Sequence, residues 1–106
     1  MGYAKERGKI EQLSAKIAAI DVFNEKNFDI LLDTQEKYSH TVRILKNKEP
    51  ETFAALYENE LQAVKAGKKA VRESEDEESR QATFVIYKNI LMDALAKTVE
   101  ATLNSL

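Results

Sequence analysis

A chain of 106 residues without a single cysteine has room for one domain with one modest core, and it excludes disulfides, thiolate metal centres and cysteine nucleophiles together. Sixteen Lys and Arg against eighteen Asp and Glu, a formal charge of −2, leave no basic excess of the kind that binds nucleic acid in bulk. With 43% hydrophobic and 32% charged residues the composition is that of a soluble globular domain, and the lack of cysteine fits a reducing, cytoplasmic setting.

The opening MGYAKERGKIEQ alternates charged and small residues and has no apolar run of a signal peptide, and Glu6 stands where a myristoylation pattern wants Ser or Thr. The longest apolar stretch, 82–103, is interrupted by Lys88, Asp93, Lys97 and Glu100, each costly at a bilayer centre, so no membrane span is expected.

Three glycines and one proline leave few turns, and the segments between them favour helix by intrinsic propensity. Ile10, Leu13, Ile17 and Ile20 recur at spacings of three and four and predict a first helix over 4–22. The run Asn24-Glu25-Lys26-Asn27 breaks the pattern, with Asn24 expected in a left-handed conformation and Asn27 as the N-cap of a second helix over 28–46. The stripe of that helix is Phe28, Leu31, Leu32, Tyr38, Val42 and Leu45, with Gln35 and Ser39 as polar members of the same face. After Asn47-Lys48-Glu49, Pro50 suits the first position of a third helix. Its main face is Phe53, Tyr57, Leu61, Val64 and Val71, and the small residues Ala63, Ala66, Gly67 and Ala70 beside it permit close approach of a neighbouring helix. Ser74 and Glu77 match a capping box for a fourth helix over 76–104, unless the third and fourth fuse into one rod through this acidic segment.

The fourth helix differs from the others. Phe84, Val85, Ile86, Tyr87, Ile90, Leu91, Met92, Leu95, Val99 and Leu103 surround most of it, leaving one polar stripe of Asn89, Asp93, Lys97, Glu100 and Asn104. The fold expected is all-α, a small antiparallel bundle of four helices with the fourth most buried. Its apolar excess asks for cover by a second copy, so a homodimer is expected.

His40 is the one histidine, and at about 100° per residue it projects with Asp29, Asp33, Glu36 and Lys37 on the polar side of the second helix. An accessible imidazole on a bundle, with Arg43 one turn later to hold phosphoryl oxygens, is chemically sufficient for phosphotransfer. Ser39-His40-Thr41-Val42-Arg43 is similar to the histidine-phosphotransfer pattern, which has a hydrophobic residue two after the histidine and a lysine three after it. Val42 and Arg43 hold those places, whereas Ile44 replaces the small residue the pattern carries four after the histidine and obstructs a docking partner. The plainer reading is a solvated histidine beside Glu36.

Other constellations fail on spacing. The acidic run 73–78 lacks the glycine of a calcium loop, Glu36 and His40 are four apart with no second histidine for a di-iron centre, and Ala66-Gly67-Lys68-Lys69 lacks the leading glycine and the Ser or Thr of a phosphate loop. No metal, cofactor or catalytic set is therefore expected. Lys65, Lys68, Lys69 and Arg72 share one face of the third helix beside its apolar stripe. They read either as a solvated edge answering the acidic run that follows or as a docking rim for an acidic partner.

The function expected is a non-enzymatic protein–protein interaction module: an adaptor, chaperone, inhibitor or assembly subunit. It would bind through apolar helix surface, including Phe23, Ile30 and Ile44, and through that basic rim, with neither nucleic acid nor membrane as partner. The hairpin over 13–45 has a generic likeness to flagellar export chaperones, resting on Phe28-Asp29 and the leucines after it, which names no family. The alternative is phosphotransfer by His40 with Arg43.

Overall fold

Helices form where the periodicity places them. The computed structural model describes residues 2–104 as α1 (Ala4–Ile17), α2 (Glu25–Lys48), α3 (residues 50–73) and α4 (Glu77–Asn104), and no strand occurs among them. Within α3 a π-helical turn, Leu56–Glu60, separates the α-helical stretches Pro50–Ala55 and Leu61–Glu73. Cross-links between helix ends show the order up-down-up-down. Tyr3 at the start of α1 meets Glu49 at the end of α2, Arg7 meets Thr102 near the end of α4, and Ser74 after α3 meets Thr83 early in α4. The result is an antiparallel bundle about 47 Å long.

α2 runs on to Lys48, two residues past the expected end, and three other boundaries differ from the sequence reading because a side chain found a better partner. α1 stops at Ile17 rather than near residue 22, since 18–24 is held as a loop by α4. Lys88 donates its Nζ to the Ala18 carbonyl, while the Gln81 amide donates to the Asp21 carbonyl and accepts from the Phe23 backbone N–H. α2 begins at Glu25 because Asn24, in extended and not left-handed backbone, is itself the N-cap and accepts from the Asn27 N–H. At the start of α4 the N-cap bond is made by Asp76, which accepts from the Ser79 N–H, and not by Ser74. Ser74 instead closes α3, its N–H bonded to the Val71 carbonyl and its hydroxyl to the Ala70 carbonyl. The third and fourth helices are therefore separate.

The core is one cluster fed by all four helices. Ile10, Leu13 and Ile17 come from α1, Leu31, Tyr38, Val42 and Leu45 from α2, Phe53, Leu56, Leu61, Val64 and Val71 from α3, and Phe84, Tyr87, Leu91 and Leu95 from α4. In α3 the core position expected for Tyr57 belongs to Leu56. Five α-helical residues would turn the chain by about 140° beyond one revolution and carry Leu61 off the face of Leu56, but the wider π turn, with the Leu61 N–H bonded to the Leu56 carbonyl, keeps both inside. Tyr57 is left half-buried with the Lys46 ammonium 4.2 Å from its ring centre.

α4 is the helix on which the others pack, meeting α3 and α1 most extensively and α2 across the middle. Its buried line also includes Ala94, Thr98 and Thr102, and Ile90, Met92 and Val99 are half-covered on its flanks. Cover ends at Ile86, 56% exposed, and Leu103, 62% exposed, about 25 Å apart along the helix. Phe23 and Ile30 are likewise half-buried against the core rather than free. Of the small residues on α3 only Gly67 is buried, and a Cβ there would lie 3.2 Å from Tyr87 Cδ1 and 3.4 Å from Tyr87 Cα.

Two substitutions on α3 separate close approach from propensity. Gly67→Leu has no room against Tyr87 and should cost about 1–3 kcal/mol in urea denaturation, whereas Ala66→Leu, on the exposed side, should change stability by less than about 0.5 kcal/mol. Leu95→Ala, which opens a cavity at a fully buried site, should cost about 2–5 kcal/mol by the same measurement.

Candidate functional site

The outward face of α2 runs between α1 and α3. Its polar residues line up because the 3.6-residue period that sends Leu31, Tyr38 and Val42 inward sends Asp29, Asp33, Glu36, His40 and Arg43 outward. Where α2 faces α3 the surface falls into an open groove of about 720 Å³. Its α2 wall carries Asp29, Asp33 and Glu36 and then His40 and Arg43, while its α3 wall carries Lys68 and Arg72. The floor is polar too: Gln35, nearly buried, accepts a hydrogen bond from the Tyr87 hydroxyl rising from α4.

The structure divides the expected basic rim. Lys68 and Arg72 turn into the groove, whereas Lys65 and Lys69 stand exposed outside its lining. Lys69 pairs with Glu73 at 3.9 Å within α3, and Arg72 lies with its guanidinium carbon 6.0 Å from the Phe28 ring centre. Arg43, Lys65, Lys68 and Arg72 make no ion pair among the described residues, although the α2 carboxylates share the groove. His40 is exposed, as its helical phase required, and it shares the groove with both Arg43 and Lys68. His40 and Arg43 thus meet half of the basic rim, Lys68 and Arg72, on one surface.

Asp33 is the fixed point of the α2 wall. Its carboxylate is 2.9 Å from Lys37 Nζ one turn on and 3.9 Å from Lys16 Nζ on α1. The hydrogen bond from Lys37, against some desolvation and with the charges of Lys37 and Lys16, holds its carboxyl below the usual aspartate range. Elsewhere in the bundle burial pushes the hydroxyls of Tyr38, to about 12, and of Tyr87 upward, so both stay neutral hydrogen-bond donors.

Sequence reasoning had Asp29, Asp33 and Glu36 on the right face of α2 but no means of seeing Lys68 and Arg72 opposite them, because helix phase says which residues share a face and not which faces meet. Tyr87 reaching Gln35 was hidden for the same reason: the two positions are 52 apart. Among the described residues no group of His, Asp or Glu is placed to hold a metal ion, and no helix is long and apolar enough to cross a membrane. No known protein family, curated protein or solved structure matches the chain.

Lys37→Ala should raise the Asp33 pKa toward its ordinary value, read by carboxyl NMR titration. Because the native pKa is depressed, the stability Asp33 contributes is present above its unfolded pKa and is lost as pH falls through the folded one. The variant should therefore show a weaker loss of stability over that acid window than the parent chain.

Proposed function

We propose that this chain is a non-enzymatic protein-binding module, an adaptor, chaperone, inhibitor or assembly subunit, whose docking surface is the α3 side of the α2–α3 groove and whose partner presents an acidic segment there. The observation that carries the reading is that Lys68 and Arg72 line an open groove with Arg43, and none of the three has an ion-pair partner among the described residues. An incoming carboxylate has no existing pair to break at these cations, and Arg72 keeps its contact with Phe28 while its fork is engaged. Lys65 extends the positive edge outward, and Lys69 joins it on release from Glu73. Asp29, Asp33 and Glu36 on the facing wall repel the same partner, which fixes the side of the groove it occupies.

A second reading rests on His40. It lies in the groove with Arg43 and Lys68, cations suited to the oxygens of a phosphoryl group received by the imidazole. Self-association is a separate proposal, resting on exposed Ile86 beside half-buried Ile90 on the open side of α4. Sedimentation at micromolar concentration tests it: a mass that stays that of one chain ends the homodimer.

Charge reversal tests the main reading. With a partner recovered by affinity capture, the combined variant Lys65→Glu, Lys68→Glu, Lys69→Glu, Arg72→Glu should slow association roughly tenfold at low salt and leave dissociation nearly unchanged, with the difference shrinking as salt rises. Unchanged association, or failure to capture any partner at low salt, refutes it. Acid-labile label taken up from a phosphohistidine or phospho-aspartate donor, and abolished in His40→Gln, transfers the assignment to phosphotransfer.

A further inference from the structure

His40 stands on a ridge between two depressions, and the second has a different electrostatic character. On its α1 side the surface opens into a groove of about 590 Å³ whose walls are Lys9 and Lys16 of α1 and Lys37 and His40 of α2, over a floor of Leu13 and Thr41. The α2–α3 groove sets three carboxylates, Asp29, Asp33 and Glu36, against three cations, Arg43, Lys68 and Arg72. The lining of the α1–α2 groove holds three lysines against the single carboxylate of Glu36. With Asp33 beside Lys16 and Lys37 counted as a second carboxylate, the three lysines still leave the channel positive on a chain whose formal charge is −2.

Its construction follows from helix phase. Lys9, Leu13 and Lys16 fall at spacings of four and three on one face of α1, so the two ammonium groups bracket an apolar floor over about 10 Å of helix. At one end Asp33 holds Lys37 at 2.9 Å and Lys16 at 3.9 Å, drawing the lysines of both walls together. At the other end Lys9 is exposed and makes no ion pair among the described residues. Lysine stems along the walls add apolar surface below their charged heads.

We infer that the α1–α2 groove is a docking channel for an acidic amphipathic segment of another protein, its carboxylates meeting Lys9 at one end and Lys16 with Lys37 at the other while an apolar side chain lies over Leu13 and Thr41. Charge complementarity selects this occupant: a basic segment meets three lysines, and a purely apolar one leaves the ammonium group of Lys9 to be desolvated without a partner. The channel is separate from the α3 rim, so it stands or falls independently of the function proposed above.

The test uses the full chain, labelled with ¹⁵N and titrated at low salt with a synthetic peptide of Glu and Leu at helical spacing. Saturable shifts should map to residues 9–16 of α1 and 36–41 of α2. Lys9→Glu with Lys16→Glu should weaken the binding read at these residues roughly tenfold, as reversal of two exposed charges allows, and Lys97→Gln, on the α3–α4 side of the bundle, should leave it unchanged. Circular dichroism equal to that of the parent chain verifies that the α1 variant is folded, and the milder Lys9→Gln with Lys16→Gln should fall between the two. No saturable shifts at residues 9–16 and 36–41, unchanged affinity in the α1 variant, equal binding of a Lys and Leu peptide, or saturable binding of a uridine oligonucleotide at these residues with the acidic peptide inert would each overturn the inference.

Discussion

Tyr87 is the side chain through which three of the four helices are registered. Its Cα and ring edge lie against Gly67, where α3 has no Cβ, which lets α3 and α4 approach closely. The ring packs edge-on toward Phe28 at 6.1 Å, and its hydroxyl crosses the core to donate to Gln35 of α2. An unpaired hydroxyl or amide in this interior would cost about 1–3 kcal/mol, so the bond fixes the rotation of α2 relative to α4 as well as contributing energy. A side chain at position 67 would move Tyr87, and the position of Tyr87 determines which residues of α2 remain on the surface. The close approach at Gly67 and this buried hydrogen bond thus add to the inward packing of Leu31, Tyr38 and Val42 in setting the groove that contains His40, Lys68 and Arg72.

Farther along the bundle Tyr38 answers the same problem from the other direction, with its hydroxyl 2.9 Å from Thr98 Oγ1 on α4. The two ends are then closed by unlike means. At the loop end Phe84 meets Phe23 and Phe28 edge to face while those two rings lie tilted to each other, and the Gln81 side chain bonds the loop backbone at Asp21 and Phe23. At the far end Tyr3 packs edge-on to Phe53 at 5.2 Å and donates to Glu49, which Thr52 also bonds. The hydroxyls of Thr52 and Tyr3 hold the Glu49 carboxyl below its ordinary range. Lys48 with Glu6 and Arg7 with Thr102 add cross-links around the same end. Apolar contact and polar closure thus each have a place, and the charges that neither uses include those on the outward face of α2 and on the facing sides of α1 and α3.

That leftover charge is where we propose binding. Of the six ion pairs among the described residues, three run along one helix, Lys37 with Asp33, Lys69 with Glu73 and Lys97 with Asp93, and three cross between helices, Lys16 with Asp33, Lys48 with Glu6 and Lys97 with Glu60. The exposed pairs along one helix contribute little to stability and exchange readily for a partner's carboxylate. Among the described residues Arg43, Lys68 and Arg72 of the α2–α3 groove and Lys9 of the α1–α2 groove have no ion-pair partner, and the proposed docking rests on them. Two grooves flanking one helix also allow one partner to engage both, in which case effective concentration, and not new contacts, would raise its affinity.

Local rules made the helices legible from the sequence. A period of 3.6, one proline at a helix start and a break in the acidic segment identify four helices and most of the core, from Ile10 to Leu95, because each signal acts over a few residues. The same arithmetic placed His40 and the α2 carboxylates outward and the basic residues of α3 on one face. Tertiary structure alone decided the rest: that α1 yields to a loop held by Gln81 and Lys88, that a π turn brings Leu56 inward in place of Tyr57, and that Lys68 and Arg72 of α3 confront α2 while Lys65 and Lys69 face open solvent. These depend on pairs distant in the chain, whose meeting is set by how closely helices approach at Gly67 and by which buried donors find acceptors. Neither quantity is a property of any single segment, so no segment records it.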